Sequence, residues 1–75
     1  MFRRRNMPVG EFKVEILEKQ ILVHHVRQGH RYRFPITSRA AVGLRGVLVE
    51  PNPNAKRSAR GYLLEAHKAA RLAFE

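Results

Sequence analysis

Seventy-five residues and 8.7 kDa allow one domain at most. Fifteen Lys and Arg stand against six acids, all Glu, giving a net charge of +9 and a pI near 11.4. The absence of Cys excludes a disulfide framework and a thiolate metal site, so the chain reads as a reduced, intracellular, cytoplasmic protein. A hydrophobic content of 44% is too high for a disordered basic tail. Apolar runs such as Ile21–Val23 fall far short of the roughly 20 residues of a spanning helix, so no membrane is expected as a partner. Arg3-Arg4-Arg5 has the positive start of a signal peptide, but no apolar stretch follows it.

The elements follow in chain order. Residues 1–10 hold three consecutive Arg, then Met7-Pro8 and Gly10, with no period. They read as a mobile basic arm, with one ordered domain over 11–75. Residues 11–18 alternate, with Phe12, Val14 and Ile16 on one face, and predict a strand. Residues 20–27 are rich in Ile, Leu and Val and predict a second strand, joined through Lys19-Gln20. A single helix across both segments is the competing reading, because Glu15–Lys19 contains good helix formers. Gln28-Gly29 marks a turn. Residues 30–36 alternate most cleanly: Tyr32, Phe34 and Ile36 point one way, Arg31 and Arg33 the other. Pro35 suits an edge or a strand end. Thr37-Ser38 followed by residues 39–42 and Gly43 predicts one short helical turn. Residues 44–50 predict a fourth strand with a bulge at Gly46. After the break at 51–54, a helix is expected from about Asn54 to Phe74, with Ser58 as an alternative N-cap. Its apolar stripe is Ala59, Leu63, Ala66, Ala70, Ala73 and Phe74. The expected fold is α+β: a small antiparallel sheet of three to four strands packed on one C-terminal helix, in the order β-β-β-β-α. This outline is similar in architecture to the arm-type DNA-binding domain of phage integrases, but no motif residue anchors the likeness and no family follows from it.

The charge is unevenly placed. From Lys19 to Val49 there are six basic residues and no acid. Of the 15 cations, 11 are Arg, which bonds phosphate in bidentate fashion and stacks on bases. A strand face with Arg31 and Arg33, extended by Arg27, Arg39 and Arg45, would make one cationic surface. Lys56, Arg57 and Arg60 crowd the expected helix start, where free backbone N–H groups suit a phosphate. Arg3, Arg4 and Arg5 resemble arms that track a nucleic-acid backbone. Tyr32 and Phe34 share a face with Ile36, so core packing is favoured over base stacking for both. His24, His25 and His30 match no zinc spacing, and alternation sends His24 and His25 to opposite faces. A compact nuclease using His30, Arg31, Arg33 and Tyr62 is the weakest alternative, because nothing fixes their geometry.

The expectation is therefore a non-enzymatic nucleic-acid binder, for DNA or RNA, with no cofactor. Its contacts would be phosphate contacts that release counterions. The alternative is a small protein-binding module or phage-type inhibitor docking on an acidic surface of a nucleic-acid-processing complex. A third reading is a subunit of a larger ribonucleoprotein. So short a chain buries only about 60% of its unfolded surface, and a homodimer would relieve that weakness.

Overall fold

The computed structural model describes residues 5–74. Five strands run in chain order: β1 (Arg5–Val9), β2 (Phe12–Ile16), β3 (Gln20–His25), β4 (His30–Pro35) and β5 (Leu48–Glu50). A 3-10 turn (Ala59–Tyr62) then leads into the helix α1 (Leu63–Phe74). The strands form one antiparallel sheet in the order β1-β2-β3-β4-β5, with α1 packed on one face. This is the α+β arrangement expected, with one strand more.

The core follows from alternation. Val14, Val23 and Tyr32 occupy matched positions on β2, β3 and β4, as do Ile16, Ile21 and Phe34. All six are buried. The helix covers them with Ala66, Ala69, Ala70 and Ala73, each at most 3% exposed. Small residues let the helix axis approach closely, so the sheet's aromatic and branched side chains fill the space between the layers. The Tyr32 hydroxyl donates to the Ala59 carbonyl and ties the 3-10 turn to β4. Burial pushes the phenol pKa up to about 12, with smaller contributions from Tyr62 and Glu65, so it stays a donor through the alkaline range.

Three sequence expectations are corrected. First, a strand over Arg5–Val9 lies inside the segment read as an arm, whose residues 1–4 are outside the described residues. β1 lies at the sheet edge, pairs with β2 through backbone bonds, and so needs no apolar alternation. Gly10, with φ 58°, closes that hairpin. Second, residues 37–43 form no helical turn. Ile36 bridges Val42, and Thr37 N–H donates to the Ala41 carbonyl at 2.8 Å. Too few residues are available there to offset the cost of helix nucleation. The fourth expected strand shrinks accordingly to Leu48–Glu50, because Gly46 at φ 84° turns the chain before it. Third, the helix starts nine residues later than Asn54, at Leu63, after a 3-10 turn that Ser58 caps by accepting from Arg60 N–H. Among the described residues, no helix is long and apolar enough to cross a membrane.

Candidate functional site

Among the described residues, no element packs on the face of the sheet opposite α1. Register places its outward side chains in two rows that cross the strands. Lys13 on β2, His24 on β3, Arg31 on β4 and Glu50 on β5 are successive cross-strand neighbours. Glu15, Leu22 and Arg33 form the second row. Between the rows runs the backbone of Val14, Val23 and Tyr32, whose side chains point into the core. The result is a groove of about 650 Å³ crossing all five strands, with Met7 and Pro8 at its β1 end.

Its electrostatics are mixed. Lys13, Arg31 and Arg33 face Glu15 and Glu50, so three cations meet two carboxylates. Arg33 Nε lies 3.5 Å from Glu50 Oε1 in an exposed pair that engages one of the five guanidinium donors. His24 sits between Lys13 and Arg31 in its row. Burial holds its pKa below the ordinary 6.5, and the neighbouring Arg31, Lys13 and His25 push the same way, in that order. The ring is therefore neutral at pH 7.

The sequence-predicted cations divide among three places. Arg31 and Arg33 share the groove. Arg27 lies in the turn after β3, 3.2 Å from Glu11. Lys56 and Arg57 lie in the loop before the 3-10 turn, as the Ser58 alternative requires, with Arg60 inside the turn. Arg39 and Arg45 lie in the 36–47 loop at the other end of the sheet. Arg3 and Arg4 lie outside the described residues, and Arg5 opens β1. The backbone donors expected to greet a phosphate at the helix start have partners of their own. Arg57 N–H donates to Gln28 Oε1 at 3.4 Å, and Arg60 N–H donates to Ser58 Oγ at 3.2 Å. Sequence reasoning missed Lys13 and His24. The alternation of β2 and β3 carried the signal for both.

The remaining histidines serve the other face. His25 is wholly buried, stacked on Phe12 with ring centroids 4.7 Å apart, and its Nε2 donates to Glu11 at 3.2 Å. That bond, together with Arg27, holds the Glu11 carboxyl below its usual range. His30 donates from Nε2 to the Arg57 carbonyl at 2.7 Å and accepts at Nδ1 from Asn52 N–H at 3.0 Å. These bonds assign the neutral Nε2–H tautomer. Gly29 belongs to the same junction. Its φ is 78°, and a Cβ there would lie 2.6 Å from Asn52 Nδ2. The sheet thus separates His24 from His25 and His30, and it separates His30 and Tyr62 from Arg31 and Arg33. Neither the histidine set nor the nuclease constellation is brought together. Comparison with protein-family models, curated proteins and solved structures finds no match.

Proposed function

We propose that the protein binds nucleic acid, without catalysing a reaction, through the uncovered face of its sheet. One observation carries this reading: Lys13, Arg31 and Arg33 line a single groove that no other described element covers. Arg guanidinium groups there can fork onto phosphate oxygens. The wider charge assists. Exposed Arg39, Arg45, Lys56, Arg57 and Arg60 lie around the body and raise the local concentration of any polyanion.

The test is fluorescence anisotropy with labelled duplex DNA, single-stranded DNA and hairpin RNA, at about 50 and 200 mM salt. Salt-dependent binding is expected, weakened at least tenfold by Arg31→Glu combined with Arg33→Glu. Binding that survives the double substitution unchanged would remove the sheet face from the reading. Failure to bind any of the three at the lower salt would overturn nucleic-acid binding and leave the acidic protein partner.

A further inference from the structure

Resting on the nucleic-acid reading, we infer that the groove accepts a single strand lying across the β-strands, with one base on His24 and the flanking phosphates on Lys13 and Arg31.

The dimensions favour one strand over two. Outward residues two apart along a β-strand are separated by about 6.8 Å, which sets the spacing of the two rows. Five strands at about 4.8 Å apart span about 19 Å. The major groove of a B-form duplex is about 12 Å wide and admits a helix or a two-stranded ribbon. A five-stranded sheet is too broad to enter it. Its hollow face offers no ridge that could enter instead. A duplex could touch Lys13 and Arg31 from outside, but its bases would remain stacked on one another and out of reach of His24.

The order of residues in the row gives the arrangement of the ligand. Lys13 and Arg31 stand on β2 and β4, about 10 Å apart, with His24 on β3 between them. Both cations are exposed. A nucleotide whose base lies on the imidazole therefore places its 5′ and 3′ phosphates toward a cation on either side. The neutral ring offers a flat surface on which an unstacked base can rest, as His does in readers of single strands. Leu22, two residues before His24 on β3, lines the same groove and gives the base an apolar edge. Sequence preference is then weak, because every base presents a stacking face.

The test uses the full chain with labelled single-stranded DNA, single-stranded RNA and blunt duplex DNA, each about twelve nucleotides long. Both single strands are expected to bind more tightly than the duplex. His24→Ala should weaken single-strand binding about 5- to 150-fold, the equivalent of one lost stack, with the salt slope unchanged. Lys13→Gln and Arg31→Gln should each reduce that slope by about 0.7, one phosphate contact each. Circular dichroism verifies the fold of each variant, and His24 lies outside the core, so its loss leaves the fold intact. Equal or tighter duplex binding that still depends on Arg31 and Arg33 would overturn the single-strand inference while nucleic-acid binding stands. An unchanged affinity in His24→Ala would overturn the stacking arrangement. Absence of binding to all three probes would remove both readings together.

Discussion

The two sides of β4 divide the work of the molecule. Tyr32 and Phe34 point at the helix and are wholly buried, while Arg31 and Arg33 point away and are exposed. Adjacent residues on one strand thus belong to different problems, because side chains alternate with a period of two. The inward face is closed by alanines of α1, so every ring atom there meets protein. Across the groove of the outward face, no described element packs. Substitutions on the inward side should therefore change stability, and those on the outward side should change binding.

The largest effect expected is from Phe34→Ala. Removing a buried Phe side chain costs about 3–5 kcal/mol. A chain of this length has a total stability of roughly 4–11 kcal/mol, so urea denaturation should show most of it lost. Arg31→Glu with Arg33→Glu should move the same midpoint little, by under about 1 kcal/mol, while weakening polyanion binding at least tenfold. Equal destabilisation by the two variants would break the division between faces.

How much of this was legible follows from the same period. β2, β3 and β4 could be read because Phe12, Val14, Ile16, Ile21, Val23, Tyr32 and Phe34 are buried on one side only. β1 could not, because Met7-Pro8-Val9 sits at an edge, where ladder bonds ask nothing of side-chain polarity. The 37–43 turn was misread because Thr37-Ser38 resembles a helix cap. The bridge between Ile36 and Val42 and the bonds from Thr37 N–H to Ala41 and from Gly43 N–H to Pro35 show that the chain doubles back, and no residue pattern in the sequence signals that pairing. Arg31 and Arg33 were legible as a pair. The groove was not, because it needs register: pairing His25 with His30 and Ile16 with Ile21 is what aligns Lys13, His24 and Arg31. The acid-free window from 19 to 49 also overstated the positive charge of the face. Glu15 and Glu50 come from just outside it and lie against the same cations.

A second comparison sets the two kinds of histidine against each other. His30→Leu leaves the Asn52 N–H and the Arg57 carbonyl without their ring partners, at a cost of about 1–3 kcal/mol. It should also speed amide exchange at Asn52, since that N–H then has no ring to bond. His24→Ala on the outward face should cost less than about 0.5 kcal/mol. Unfolding curves and hydrogen exchange on both variants read this difference directly. If His30→Leu left Asn52 protection unchanged, the ring would not be what anchors the 51–58 loop.

The smallest effect is a titration, and it probes the groove without disturbing it. The folded His24 pKa lies below 6.5, first through burial and then through Arg31, Lys13 and His25. The unfolded chain therefore takes up this proton more readily than the folded one. Its contribution to stability is fully present above pH 6.5 and is lost as pH falls from 6.5 toward the folded value, then stays flat. Arg31→Gln removes the largest of the charge contributions but leaves the burial. The His24 midpoint, followed by NMR, should rise yet remain below 6.5. A bound polyanion should raise it in the wild type as well, because phosphates beside Lys13 and Arg31 offset the charges that oppose protonation. A midpoint indifferent to Arg31→Gln would mean that the guanidinium leans away from the imidazole, and the row would no longer act as one surface.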